Sequence, residues 1–206
     1  MNGQKFDKRL ILASASPRRR ELLSLITNDF EIITKEVDER SAEIDMENKG
    51  VPAVRVSEGL ALLKARAVFD ELSEEEKKKV LVIGADTSVI LDDVIFGKPA
   101  DKEDAVSMLT RLSGRKHVVA TGVALITSET TKCFTEETLV EFFELDRHQK
   151  DLIERYCSSD EPYDKAGAYG IQNGGALLVR KIDGDFSNVV GLPVPRLARE
   201  IESVIY

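Results

Sequence analysis

Four short segments concentrate residues able to handle a polyanion. In LASASPRRREL, Ser14, Ser16, Arg18 and Arg19 crowd a strand-to-helix junction. Free N–H groups and the positive dipole end of a helix start can cradle phosphate oxygens there, and guanidinium forks add charge-assisted hydrogen bonds. A capped helix with its arginines in water is the plainer reading, but arginine at a helix start opposes the dipole, so stability alone explains the cluster poorly. In VLVIGADTSV an apolar run leads to Asp86 and Thr87. A carboxylate held rigidly at a strand end can ligate a metal or take a proton from attacking water. FGKPAD offers Lys98, a compact cation on a loop stiffened by Pro99. DKAGAYGIQ joins Lys165, small residues that permit close backbone approach, and Gln172, whose amide can both donate and accept at a base edge. Taken singly, the last two segments read as an exposed turn lysine and a tight loop.

Elements that would position these groups can be read from the surrounding pattern. Leu10 to Ala13 is expected as a short strand, followed by a helix capped by Ser16 with Pro17 at its first position and Leu22, Leu23 and Ile26 inside. Residues 53 to 71 carry Val56, Leu60, Leu63 and Ala67 at helical spacing. The charged run SEEEKKK at 73 to 79 reads as a solvated loop or helix end, VLVIGAD as a strand ending at Asp86, and SVILDD as a second strand. Asp101 is placed to cap a helix with Ala105, Met108, Leu109 and Leu112 on one side, closed by Ser113 and Gly114. HVVATGVALIT should form a long strand paired with residues 134 to 145, and a helix near 147 to 157, a strand ALLVRKI and a last helix with Leu197, Ile201 and Val204 follow. Strands sometimes adjacent and sometimes separated by helices imply an α/β fold with a mixed sheet. No internal repeat or low-complexity tract interrupts the 206 residues, which suit one domain spanning 1–206.

Composition removes several alternatives. With 42% apolar and 32% charged residues the chain has a globular balance. A formal net charge of -8 opposes nonspecific attraction to nucleic acid, while leaving room for one locally positive cleft. Two cysteines, Cys133 and Cys157, are too few for a disulfide framework and lack zinc-site spacing, so reduced thiols and a cytoplasmic setting are expected. No apolar run approaches the ~20 residues of a membrane span, and MNGQKFDKRL has no apolar core of a signal peptide. The phosphate loop G-x-x-x-x-G-K-[ST] is missing, and AGAYGIQNGG does not satisfy G-x-G-x-x-G, which disfavours kinase and motor chemistry. His117 and His148 stand far apart and receive structural or surface roles.

LASASPRR, IGADT, GKP and DKAGAYGIQ, in this order, resemble the Maf family of nucleotide pyrophosphatases, once described as septum-formation inhibitors. KARAV, MLTRLSGR and KIDGDFSNVVGLP extend the resemblance over nearly the whole chain. It implies a mixed sheet flanked by helices in two lobes with a central cleft, similar to inosine-triphosphate pyrophosphatase. It also implies hydrolysis between the α- and β-phosphates of a nucleoside triphosphate with magnesium or manganese, and a possible homodimer. By the resemblance Asp86 is the general base and, with Glu39 of VDER, a metal ligand; Asp38 and Glu36 lie one and three residues before Glu39, close enough for a register shift. Ser14, Ser16, Arg18, Arg19, Lys64, Lys98 and Lys165 bind substrate. Arg18, Thr87 and Gln172 match positions linked with substrate choice, and IGADT with AGAYGIQ looks like the dTTP/UTP branch. Pyrophosphatases acting on 7-methyl-GTP or modified purines, and a nonenzymatic regulator of cell division, are the competing readings. The intact Asp86, Lys64 and Lys98 motifs favour the enzyme.

Overall fold

The position of the chemistry is set by where the strands of one sheet stop. A computed structural model describes residues 6–206; the first five residues of the amino-terminal stretch considered above lie outside it. In chain order the elements are β1 (Arg9–Leu12), α1 (Pro17–Leu23), β2 (Phe30–Ile32), α2 (Glu39–Asn48), α3 (Ala53–Phe69), α4 (Glu74–Lys77), β3 (Val80–Leu91), β4 (Val94–Phe96), α5 (Lys102–Leu112), β5 (Lys116–Ile126), β6 (Thr131–Phe142), α6 (Arg147–Tyr156), β7 (Val179–Asp183), α7 (Phe186–Val190) and α8 (Val194–Ile205). Two 3₁₀ turns, Ala166–Ala168 and Gly174–Leu178, lie between α6 and β7. The seven strands form one mixed sheet in the order β2-β1-β3-β5-β6-β7, with β4 hairpinned onto β3. Among the described residues only β2-β1-β3 run parallel.

The sheet contains a notch. β1 pairs with Val80–Ile83 of β3 and stops, while β4 pairs with Val89–Leu91 further along β3. β5 covers the opposite edge throughout, from Val82 to Ile90. Residues 84 to 88 of β3 therefore present an edge that no strand among the described residues occupies, and Asp86 and Thr87 sit in it. This corrects the expectation of two strands with Asp86 at the end of the first. VLVIGADTSVIL is one strand, because the β5 ladder runs straight through it, and Asp92–Asp93 form the two-residue turn to β4 with φ of 52° and 60°, as a type I′ hairpin requires.

Helices cover both faces. α1 and α8 pack Leu22, Leu23, Leu197 and Ile201 against Leu10, Leu12, Leu81 and Ile83. On the other face α3 packs Ala61, Ala65, Val68 and Phe69 against Ile11, Val80, Val82 and Ala124. α3 lies unusually close to the sheet. A Cβ on Gly84 would come 2.2 Å from the Ala61 carbonyl oxygen, and one on Gly122 would come 2.2 Å from the Glu58 nitrogen, so both positions must lack a side chain. That contact brings Lys64 down to the notch. A third cluster, of Val89, Phe96, Leu109, Phe142, Ile153 and Tyr169, fills the far end under α5 and α6.

Several local expectations change. The buried face of α3 is Val56, Ser57, Leu60, Ala61, Ala65 and Val68; Leu63 and Ala67 are only half-buried, because the close sheet contact selects the small alanines. SEEEKKK forms its own short helix, with Ser73 and Glu76 in a reciprocal capping box. The residues ALL that were expected to open the last strand belong to the second 3₁₀ turn. Ser16 stands at the cap position of α1, but its hydroxyl makes no capping bond. Asp101 caps α5 as expected, accepting from the Asp104 N–H at 2.8 Å. Among the described residues no helix is long and apolar enough to cross a membrane.

Candidate active site

The notch opens into a cavity of about 650 Å³, within the ~300–1,000 Å³ of ordinary small-molecule sites. Ser16, Arg18, Arg19, Glu39, Lys64, Asp86, Thr87, Lys98, Lys165 and Gln172 all line it. These come from α1, α2, α3, β3, the turn after β4 and the 164–173 segment, up to 156 residues apart in the chain. Of the residues to which the resemblance gives a substrate or metal role, Ser14 alone is not in the wall. It is buried behind it, accepting from Arg19 Nη1 and from the Ser16 N–H, both at 3.3 Å.

Because side chains of a strand alternate, Asp86 and Thr87 point to opposite faces of β3. On the α3 side, Lys64 Nζ stands 2.7 Å from Asp86 Oδ1 and 2.7 Å from Glu39 Oε2. The Lys64 and Asp86 side chains are only 15% and 14% exposed, so neither charge could be left alone at small cost. Glu39 is separated from its neighbours by role. Asp38 is spent capping α2, accepting from the Ser41 N–H at 3.0 Å and hydroxyl at 2.7 Å, and Glu36 is not in the wall. On the α1 side, Arg19 donates from Nε to the Gly191 carbonyl at 2.9 Å and from Nη2 to Thr87 Oγ1 at 3.1 Å. Burial lowers its pKa from the ordinary arginine value, with Asp86 opposing the shift, Arg18 adding to it and Glu39 opposing it. A guanidinium nonetheless stays charged in a protein.

The 164–173 segment closes the cavity from the far end. Arg18 Nη1 reaches Asp164 Oδ2 at 3.1 Å, and Lys165 Nζ holds the other oxygen at 2.5 Å. Burial raises the Asp164 pKa, but hydrogen bonds from Lys165 and Arg18 and the charges of both outweigh that and leave it below the usual carboxylate range. The segment is tied down through its backbone. Gly170 N–H donates to Tyr156 Oη at 3.1 Å, Gly167 N–H to the Gly97 carbonyl at 3.0 Å, and Gly174 N–H to Glu161 Oε2 at 3.2 Å. Tyr169 is buried with its hydroxyl 2.8 Å from His117 Nε2, which gives that histidine the structural role expected for it. Lys98 and Gln172 are exposed on the cavity rim.

Sequence reasoning missed Asp164, although it opens the quoted DKAGAYGIQ segment. An acid directly before a phosphate-seeking lysine was the available signal. Glu21 and Asn173 also line the wall without having been singled out.

The charges nearly cancel: Arg18, Arg19, Lys64, Lys98 and Lys165 face Glu21, Glu39, Asp86 and Asp164. A triphosphate with about four negative charges would leave that set strongly negative unless another cation entered with it. The donor chemistry suits such a cation. Among the described residues no three acids, histidines or cysteines converge on one point, but Asp86 and Glu39 reach the same ammonium. Magnesium characteristically takes one or two carboxylates and completes its shell with water and phosphate oxygens.

Known proteins supply the remaining context. Residues 9–204 match the family model described as Maf-like protein. A protein named dTTP/UTP pyrophosphatase from Bacillus cereus (strain G9842) is 45% identical over 195 residues, covering 95% of each chain. Its namesake from Bacillus velezensis is 46% identical over 95% of this chain and 96% of its own. One from Geobacillus sp. (strain WCH70) is 44% identical over 95% and 97%. With a family model covering almost the whole sequence and relatives aligned end to end, this chain belongs to the Maf-like proteins.

Proposed function

We propose that this protein hydrolyses dTTP and UTP to the monophosphate and pyrophosphate with a divalent cation, in the cytoplasm. The observation that carries the reading is the convergence of Asp86, Lys64 and Glu39 with Arg18, Arg19, Lys98 and Lys165 in one cavity. The names of the relatives support the choice of nucleotides. The two free cysteines fit a reducing compartment.

In this mechanism the arginines and lysines grip the phosphate oxygens and stabilise the charge that builds on the departing pyrophosphate. Asp86 Oδ accepts a proton from a water. The oxygen of that water bonds to the α-phosphorus as the bond from phosphorus to the bridging oxygen breaks, and pyrophosphate leaves with the bonding electrons. Asp86 and Glu39 would hold magnesium or manganese, which supplies charge neutralisation at phosphate and acidifies bound water. Lys64 orients both carboxylates. Gln172, on the rim, can present its amide to the exchangeable donor and acceptor edge of a pyrimidine.

The test is a panel of nucleotides with magnesium, scored for pyrophosphate and for the monophosphate. Turnover of dTTP and UTP well above that of GTP, ATP and 7-methyl-GTP is expected. Preference for 7-methyl-GTP or a modified purine would overturn the substrate assignment. Absence of hydrolysis throughout would overturn the enzyme.

A further inference from the structure

Behind the cavity wall, Thr121, Thr138 and Asn188 are buried at 0%, 1% and 0% exposure and form one network. Asn188 Nδ2 donates to the Val119 carbonyl at 2.9 Å and to Thr138 Oγ1 at 3.0 Å. Thr138 Oγ1 also accepts from the Asp185 N–H at 3.1 Å and donates to the Asp185 carbonyl at 3.2 Å. These bonds fasten α7 to β5 and β6. From the fastened helix, the Asn188 carbonyl accepts from Thr121 Oγ1 at 3.0 Å.

The direction of the remaining bonds follows from proton counting. A threonine hydroxyl has one proton. Thr121 commits its proton to the Asn188 carbonyl, so in the 3.0 Å contact between Thr87 and Thr121, which are directly paired across β3 and β5, Thr87 must be the donor. Thr87 then has only lone pairs left for its other neighbour, which is Arg19 Nη2. The chain runs one way, from Arg19 to Thr87 to Thr121 to the Asn188 carbonyl. Arg19 also meets the end of the same segment directly, through Nε and the carbonyl of Gly191, whose φ of +131° suits glycine alone.

We infer that Thr121 and Asn188 are positioning residues for the reaction, fixing the Arg19 fork through Thr87. Thr87 carries the geometry of α7 to the guanidinium, and its hydroxyl has no proton left for a ligand. The inference rests on Arg19 being a phosphate ligand. A guanidinium held at Nε and at both Nη atoms is fixed in the cavity wall with two N–H donors uncommitted before substrate arrives, which removes a reorganisation cost from the reaction.

The decisive variant in the full-length protein is Thr121→Val, which keeps the shape and removes the hydroxyl. Its kcat with dTTP should fall ~10-fold, with a smaller change in KM, and Thr121→Ser should recover activity to within about twofold. Added to Arg19→Ala, the valine should cost nothing further, because a residue acting through Arg19 has no effect once Arg19 is gone. Without any substrate, the ¹⁵N resonance of Arg19 Nε, identified by its loss in Arg19→Lys, should broaden or shift in Thr121→Val. An additive fall in the double variant, wild-type kcat in Thr121→Val, or an unmoved Arg19 resonance would overturn the inference. If the wild type turns over no nucleotide, the functional reading fails, and the resonance alone still judges the positioning. Thr87→Val breaks the same chain one link nearer the cavity and serves where Thr121→Val does not fold.

Discussion

The two ends of the cavity are built on different principles. The β3 end hangs its charged groups on regular elements: Asp86 and Thr87 on a twelve-residue strand, Lys64 on a seventeen-residue helix pressed onto the sheet, Arg19 tied by three hydrogen bonds. The 164–173 end is a loop framed by 3₁₀ turns, fastened through its backbone, with Gln172 exposed. Chemistry at phosphorus punishes misplacement by fractions of an ångström, whereas reading a base needs a surface of suitable shape that can vary without disturbing the catalytic groups. Rigid elements carry Asp86, Lys64 and Arg19 for the first need, while the tethered loop lends Lys165 to the phosphates and Gln172 to the second.

Substitutions at the two ends should therefore fail differently. Asp86→Asn keeps the shape and removes the charge, and should lower kcat by ~10²-fold or more for every nucleotide alike. Gln172→Ala should instead raise KM for dTTP by ~10-fold with kcat little changed and shrink the preference for pyrimidines, since it removes binding common to ground and transition states. Steady-state kinetics on two or more nucleotides separates these patterns. A base-dependent loss in Asp86→Asn, or a kcat loss in Gln172→Ala, would break the comparison.

Tyr156→Phe probes the tether. It deprives the Gly170 N–H of its acceptor, and should cost about 1 kcal/mol of stability and raise KM several-fold while sparing kcat. The smallest effect on turnover is expected at His117, which anchors the buried Tyr169 and bears on stability instead. Burial pushes its pKa down from 6.5 to about 4. On acidification the unfolded chain takes up this proton first, so the stability contribution is complete above pH 6.5 and is lost between pH 6.5 and 4. The loss is at most roughly 3 kcal/mol. His117→Gln keeps a hydrogen-bonding partner for Tyr169 and removes the titration. Its melting temperature should fall less than that of the wild type between pH 7 and pH 5.

The site was legible where chemistry is written in residue type, and obscure where it depends on pairing. Arg18, Arg19, Lys98, Lys165 and Gln172 could be named because cations and amides beside glycines and prolines are conspicuous, whereas Lys64, inside an ordinary helical stripe, was named only through the family resemblance. The strand end expected at Asp86 was wrong for a nonlocal reason: β5 pairs straight past it and keeps the strand continuous to Leu91. The notch that exposes Asp86 depends on where β1 and β4 stop pairing, which no local pattern records. Thr121 sits in an apolar run and looks like an ordinary strand residue until the register sets it opposite Thr87. Two polar interruptions in two apolar strands were the one available hint. Leu63 and Ala67 were misplaced because helical spacing gives the width of an apolar stripe, while the close approach to Gly84 and Gly122 decides which side of it is buried.

The central claim is that a water activated beside Asp86 attacks the α-phosphorus. Hydrolysis of dTTP in ¹⁸O-labelled water, followed by mass spectrometry of both products, tests it most directly. The account predicts one labelled oxygen in the monophosphate, unlabelled pyrophosphate, and loss of the reaction in Asp86→Asn. Label in the pyrophosphate, or release of orthophosphate in its place, would contradict it.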